Sequence, residues 1–519
     1  MSTLAVLAAL VLSAPPDDKP DPDDDGGSGV EVEPVPDAPD EDEDDDLEGE
    51  LKPDPYDDRI DEDEGEPPPP LELPPDGEAR RPSMPMMDRD LVSPRAHPAG
   101  RGAAQLSLTS IGEDEFIALN VGYVFALDKW RFSPRLALRL RIVDEEPETD
   151  AIIRMEDWDE PSDIARLIGF VQYGHLGEPL VMRYGELNGV TIGHGAIVNR
   201  YFNTIDIDHY QGGVYAFGDA GVFGAEGIIN DVFGPEVMVA RVFVRPMDGA
   251  RDELPLPLNG LKIGLTAGAD LAAPTAIASE GDRLFATPEW EPTVLGDRLL
   301  TMFALDLEVP VLSSPHLDVV PYVDVATLHF DTFGVHVGTH VNARFTRKSS
   351  LRTRLEYRWA SEGHEPGYVS PFYEIERYSY HGGDPKLWTI EHDAPFRKSW
   401  GGFHLEADLR IERVLAWSMI LTTSGREPRF DLLTRLKLPE LGPVRLTLFL
   451  ARLGFDDFDD LFRSDRTTMG ASVRVMVWDP VFVRGRIVKE WWLARDKDGA
   501  SRYGTTTDWD LGAGLLLRF

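Results

Sequence analysis

The sequence predicts an all-β protein: a transmembrane, antiparallel up-and-down β-barrel of about 16–20 strands behind a disordered acidic N-terminal segment. Three observations predict it. From about residue 103, segments alternate apolar and polar residues with a period of two. No segment approaches the ~20 consecutive apolar residues of a membrane helix, so a spanning chain must be a barrel. The links between segments alternate between short and long.

The elements follow in chain order. Leu4–Leu12 is the longest apolar run in the protein. It is too short to span a bilayer as a helix and fits the apolar core of a signal peptide, residues 1–13, cleaved after Ser13. No Lys or Arg precedes the run, and a short buried helix is the alternative. Residues 14–102 are dominated by Asp, Glu, Pro and Gly. Within them, 15–79 hold 29 acidic and 3 basic side chains, the larger part of a net charge of −41. Such a segment buries too little apolar surface to offset its chain entropy, so disorder is expected. Asp21-Pro-Asp-Asp-Asp-Gly26 matches the opening of an EF-hand loop. Val32 stands where the closing Glu belongs, so a solvated spacer is the better reading. An acidic total argues against nucleic-acid binding. The absence of Cys excludes disulfides and thiolate metal sites.

The barrel region is residues 103–519. Four strands in it are especially clean. In 351–359, Leu351, Thr353, Leu355, Tyr357 and Trp359 oppose Arg352, Arg354, Glu356 and Arg358. In 404–412, Leu405, Ala407, Leu409 and Ile411 oppose His404, Glu406, Asp408, Arg410 and Glu412. In 135–142, Leu136, Leu138, Leu140 and Ile142 oppose Arg135, Ala137, Arg139 and Arg141. In 444–450, Val444, Leu446, Leu448 and Leu450 oppose Arg445, Thr447 and Phe449. Short links fall near 128–130, 175–179, 313–316, 347–350, 412–414, 439–443 and 479–480. Longer ones fall near 144–162, 187–211, 271–298, 361–400, 454–467 and 493–506. With the C-terminus on the short-turn side, every long loop lands on the opposite rim. Trp130, Tyr173, Trp359, Trp478, Trp491, Trp492 and Trp509 lie near strand ends, as interfacial girdles require.

The chain closes on one more strand. Trp509, Leu511, Ala513, Leu515, Leu517 and Phe519 share a face; Asp508, Asp510, Gly512, Gly514 and Arg518 share the other. A terminal Phe closing such a strand resembles the sorting signal of Gram-negative outer-membrane β-barrels, with Trp509, Leu515, Leu517 and Phe519 as its residues. The whole resembles porin-like channels, and the Arg-lined inner faces are loosely similar to those of alginate-export channels. The acidic N-terminal segment departs from the ordinary porin pattern. The resemblance implies an outer-membrane location with residues 14–102 in the periplasm. It also implies insertion by the barrel-assembly machinery, contact with outer-membrane lipid and lipopolysaccharide, and a water-filled or plugged pore. It sets no oligomeric state.

No catalytic pattern is present: no Gly-x-Ser-x-Gly, no His-Glu-x-x-His, no phosphate-cradling Gly-Lys-Ser/Thr. His364-Glu365 and Glu391-His392 lack metal-ligand spacing. No enzyme, metal or cofactor is expected. The constellation that stands out is the inward set Arg135, Arg139, Arg141, Arg352, Arg354, Arg358, Arg410, Arg435, Arg445, Arg474, Arg484 and Arg486. Guanidinium groups can select or guide anions in a narrow pore. They can equally pair across strands with Glu356, Glu406, Asp408, Glu412, Asp431 and Asp510. Two segments are candidate pore-shaping elements. Tyr184–Asn203 is Gly-spaced and apolar, and reads either as a loop folded into the lumen or as a bulged strand and turn. Ser361–Gly401 is long and aromatic, fit for a lid, constriction or recognition surface. Asp456–Asp460 is an acidic loop tip. The expectation is a channel for small hydrophilic solutes, anionic ones among them, through an Arg-rich lumen. The alternative is a non-conducting barrel that binds through its outer loops.

Overall fold

The computed structural model describes residues 100–518 apart from 112–113, 145–150, 155–156, 159–164, 166, 176–177, 205–210, 249–253, 255–257, 278–293, 347, 379, 381–383, 413, 426–428, 442, 458–459, 463–466 and 496–500. The signal-peptide, acidic-segment and EF-hand-like expectations, and Phe519, lie outside the described residues.

The strands are β1 (Arg101–Ile111), β2 (Asp114–Leu127), β3 (Trp130–Val143), β4 (Ile168–Tyr173), β5 (Leu180–Gly185), β6 (Gly213–Asp219) and β7 (Phe223–Ile229). Then come β8 (Val237–Val244), β9 (Lys262–Ile277), β10 (Val294–Glu308), β11 (Leu312–Ser313), β12 (Leu317–Leu328), β13 (Thr332–Thr346) and β14 (Ser349–Ala360). Last are β15 (Trp400–Ile411), β16 (Leu415–Ser424), β17 (Arg429–Leu441), β18 (Val444–Phe455), β19 (Thr467–Trp478), β20 (Val481–Arg495) and β21 (Ser501–Arg518). Each pairs antiparallel with its neighbour. The two-residue β11 only edges β12 within a turn, and β10 pairs β12 directly. β1 pairs β21, Gly102 opposite Leu517 and Leu108 opposite Leu511, so the sheet closes into a 20-stranded barrel. The first strand begins at Arg101, two residues before the expected start of the barrel.

Alternation sorts side chains between two faces. In β8, Val237, Val239, Arg241 and Phe243 are buried inside the barrel, while Met238, Ala240, Val242 and Val244 are exposed outside. The pattern recurs around the wall: Leu106, Leu119, Leu136, Met182, Leu265, Leu305, Val325, Val337, Leu355, Phe403, Leu448, Val483 and Leu511 are all exposed. A closed sheet leaves no unpaired edge, and its outer surface here is a continuous apolar wall. Apolar exposure on this scale does not suit a surface bathed in water.

Two-residue turns such as 128–129 join strands at one rim, with Asp128 in the left-handed region (φ 52°) that such hairpins require. All six long links named from the sequence leave the other rim. The strands run further into them than the pattern indicated: β9 and β10 reduce one link to 278–293, and β20 and β21 reduce another to 496–500. The length rule fails at 245–261, a long link on the short-turn rim, and at 329–331, a tight link on the long-loop rim. Both loop segments flagged as pore-shaping fold inward. After Gly185 the chain leaves the wall and 186–204 enter the lumen. Residues 361–399 follow, carrying α1 (Tyr373–Glu376) and α2 (Lys386–His392). These helices are too short to show helical periodicity in the sequence.

Candidate functional site

The first inward loop is seated by wall residues from many strands. Gly193 donates its backbone N–H to Glu226 of β7 at 3.0 Å. Arg241 of β8 bridges Glu226 at 2.9 Å and clamps Asp306 of β10 through Nε at 2.8 Å and Nη2 at 2.6 Å. His194 at the loop tip lies between two carboxylates, 2.8 Å from Asp324 of β12 and 2.9 Å from Glu308 of β10. Burial opposes charge on His194, but hydrogen bonds to Asp324 and Glu308 outweigh it and push its pKa up to about 9. Arg354 of β14 donates to the His194 carbonyl at 2.5 Å, to Asn199 Oδ1 at 2.8 Å and to Glu406 of β15 at 2.5 Å. Arg200 of the loop meets the other oxygen of Glu406 at 2.6 Å. Gly195 has φ 88°, and a Cβ there would sit 2.7 Å from Asn199 Oδ1 and 2.9 Å from Arg354 Nη1. Glycine is therefore required where the loop presses on the wall.

The second inward loop zips onto the first. Val198 and Val369 form a parallel bridge, with Gly367 N donating to Ala196 O at 2.9 Å and Asn199 N to Val369 O at 2.9 Å. Ile192, Ile197, Val198, Tyr201, Tyr368, Val369, Tyr373, Leu387, Ile390 and Phe396 then share one buried cluster with wall residues Val237, Val239, Leu300 and Met302. Its polar anchors are buried too. Tyr201 donates to Glu374, Tyr373 to Asp270, and Arg377 to Glu236 and the Ala272 carbonyl. Lys386 meets Glu376 at 2.6 Å. Apolar packing with satisfied charges is what holds a domain core, so this plug is built rather than draped.

The inner Arg set divides in two. Arg135 pairs with Glu186 of the first loop at 2.5 Å, Arg139 with Asp157 at 2.7 Å, and Arg141 with Asp114 at 3.0 Å. Arg352 stands opposite Asp408, Arg354 opposite Glu406, and Glu356 opposite His404. Arg358 meets Glu356, and Arg410 meets Asp408 at 3.1 Å. Across this wall, every named Arg stands beside an acid. On β17–β20 the register does the opposite. Arg445 lies directly opposite Arg474, and Arg474 directly opposite Arg484. Arg435, Lys437 and Arg486 share the same inner side, and Asp510 faces Arg486 across the next strand. Like charges set opposite one another cost stability in a sheet, so this band is a feature that packing alone does not favour.

The remaining sequence candidates fall as follows. Trp509 and Leu515 are exposed on the outer face of β21 with Leu511 and Ala513, and Leu517 is half-buried. Leu516, the apolar exception on the other face, packs inside against Ala103 and Phe482. Trp130 and Trp478 are exposed outside near the short-turn rim. The side chains of Trp491 and Trp492 lie outside the described residues. His364 is buried near the start of the second loop, Glu391 meets Arg298, and His392 Nδ1 lies 2.9 Å from the Trp388 carbonyl. In the acidic tip, Asp460 is tied to Arg452 at 3.0 Å.

Sequence reading missed His194, Glu226, Arg241, Asp306, Glu308, Asp324 and His336. A lone acid or His on an otherwise apolar strand gives no motif. The available signal was its parity: Asp306 and Asp324 fall on the inward position of strands whose other face is apolar. Two buried groups here could hold a metal ion, His194 with Asp306 and Asp324, and Asp324 with His336 and Glu356.

No protein-family model matches the chain, and no curated protein matches it. Solved structures do. A mutant of the ferric enterobactin receptor PfeA of Pseudomonas aeruginosa, in complex with enterobactin, is similar at 8% identity and a TM-score of 0.37, with 82% of each chain covered. The siderophore receptor PirA of the same species is similar at 9% identity and a TM-score of 0.32, covering 82% of this chain and 81% of that one. Wzi of Escherichia coli, an outer-membrane carbohydrate-binding β-barrel involved in group 1 capsule assembly, is similar at 9% identity and a TM-score of 0.30, covering 81% and 84%.

Proposed function

We propose that this protein is a barrel of the Gram-negative outer membrane that admits small, hydrophilic, anionic solutes along the basic inner wall of β17–β20. The observation that carries the reading is the run of like charges, Arg445 against Arg474 against Arg484. Guanidinium groups stay charged in a confined space and offer forked donors to carboxylate or phosphate. A wall on which Arg faces Arg suits a partner that arrives with negative charge. The apolar outer surface supports the membrane location, with lipid and lipopolysaccharide against it and the barrel-assembly machinery as its route of insertion. The reading includes no catalytic step.

The inward loops shape the path. They are tied by charge to β3 and the side lined by β7–β15, and Phe202 and Phe372 reach the apolar inner residues Ile420, Leu433, Phe449 and Val488 on the wall that carries the basic band. A second reading rests on the same plug: a non-conducting barrel that binds its ligand without passing it. Planar-bilayer recording of the purified full chain separates the two. The conducting reading predicts channels with a reversal potential on the anion side in a salt gradient. Replacing 361–399 with a short Gly/Ser linker should raise unit conductance several-fold. A protein that inserts but never conducts, with or without that loop, supports the binding reading instead.

A further inference from the structure

We infer that Asp324, His336 and Glu356 form a binding site for a divalent first-row transition-metal ion such as Zn²⁺, set in the barrel wall beneath the plug. The three residues lie on adjacent strands β12, β13 and β14. Asp324 is directly opposite His336 in the strand register, and Glu356 is opposite Gly338, two positions along from His336. Two residues apart on one face is the same side of the sheet, so all three point inward. Their ligand atoms lie within 4.8 Å of one another. Bonds of about 2.0–2.2 Å to a shared ion bring such atoms together with sub-ångström side-chain movement.

A second, independent observation points to a ligand. His336 is fully buried, and neither ring nitrogen has a hydrogen-bond partner among the described residues; its Nδ1 is 3.8 Å from Glu356 Oε1. Asp324 Oδ2 is likewise without a partner, while its Oδ1 is taken by His194. A buried imidazole and a buried carboxylate oxygen left without partners cost several kcal/mol each in an apolar setting. A cation between them removes both costs. Glu356 is oriented for the task by Arg358 and by the Tyr322 hydroxyl, the kind of outer support that metal-ligating carboxylates have. One imidazole with two carboxylates suits Zn²⁺, Fe²⁺ or Mn²⁺ better than Ca²⁺ or Mg²⁺, which favour all-oxygen shells.

The neighbouring group of His194, Asp306 and Asp324 is different. Both nitrogens of His194 are engaged by Asp324 and Glu308, and Asp306 is clamped by Arg241. Its histidine has no free ring nitrogen, whereas both nitrogens of His336 lack a partner among the described residues. Asp324 belongs to both groups, so an ion on its Oδ2 stiffens the carboxylate that holds the plug tip. Metal occupancy and plug seating are thereby coupled.

The test uses the full-length protein in detergent, stripped with a chelator and titrated with Zn²⁺, alongside His336→Gln and Asp324→Asn. Cobalt substitution supplies a visible absorption band as a second readout on the unmutated chain. The site predicts one tight equivalent above the weak background of the acidic N-terminal segment. His336→Gln should weaken that equivalent at least about tenfold, the lower end for losses around a metal shell. Glu178→Gln, on the half-buried His175–Glu178 pair at the other rim, should leave it unchanged. Folding of each variant is read from heat-modifiable gel mobility. If His336→Gln does not fold, the cobalt band and Asp324→Asn decide. Absence of a tight equivalent in the unmutated chain, or one that both variants retain, overturns the inference.

Discussion

The wall of β12–β15 and the wall of β17–β20 carry the same residue type on the same inner face in opposite company. On the first, Arg354 meets Glu406 at 2.5 Å and Arg358 meets Glu356, while the plug's His194 and Arg200 complete the network. On the second, the register sets Arg445, Arg474 and Arg484 in a row. The count of arginines does not distinguish the two walls; the register across strands does. The first wall holds the plug through ion pairs at His194 and Arg200; the second meets it through apolar contacts at Phe202 and Phe372 and sets Arg against Arg between its strands.

The largest expected effect is on the seat. Arg354→Met leaves Glu406 and the carbonyl of His194 without their main donor inside the barrel. Removing one partner of a buried pair costs ~3–5 kcal/mol, and the lower end applies because Arg200 still reaches Glu406. Urea unfolding in lipid vesicles followed by Trp fluorescence measures it. The equivalent change on the other wall should behave in reverse. Arg474→Gln relieves two like-charge oppositions and should leave stability equal or higher, by roughly 0.2–1 kcal/mol. A loss of several kcal/mol there would mean that Arg474 serves the stability of this wall rather than opposing it.

One pH dependence belongs to the seat. His194 is held charged by Asp324 and Glu308, with its pKa raised to about 9 from an ordinary 6.5. Its contribution to plug seating is complete below about pH 6.5 and is lost as pH rises through 9. Hydrogen-exchange protection of the backbone of 191–199, corrected for the intrinsic base catalysis of amide exchange, should fall across that upper range, and His194→Gln should abolish that pH-dependent fall. The smallest effect is expected at the rim. Arg397 and Glu362 form an exposed pair at 3.4 Å, and Glu362→Gln should change stability by less than about 0.5 kcal/mol.

The barrel was legible because its signal is repeated in every strand: period-two alternation, the absence of helical spans and the rhythm of the links. The inward direction of Arg354, Glu406 and Arg445 followed from the same parity. What stayed hidden was non-local. Nothing in the spacing of His194 indicates that it will meet Asp324, 130 residues away, at 2.8 Å. Gly195 and its neighbours marked tight bends but not their destination, since an inward loop and a bulged strand need the same residues. The seven-residue helix of 386–392 is too short to leave a period. The division between a wall where acid faces Arg and a wall where Arg faces Arg depends on register, which the sequence of one strand does not contain.

The most direct measurement is the reversal potential of single channels in a tenfold KCl gradient, for the unmutated chain and for Arg445→Gln/Arg474→Gln/Arg484→Gln. The account predicts anion preference in the first and a shift toward zero in the second, with both proteins folded and inserted. Cation preference in the unmutated chain, or an identical potential in the two, would contradict it.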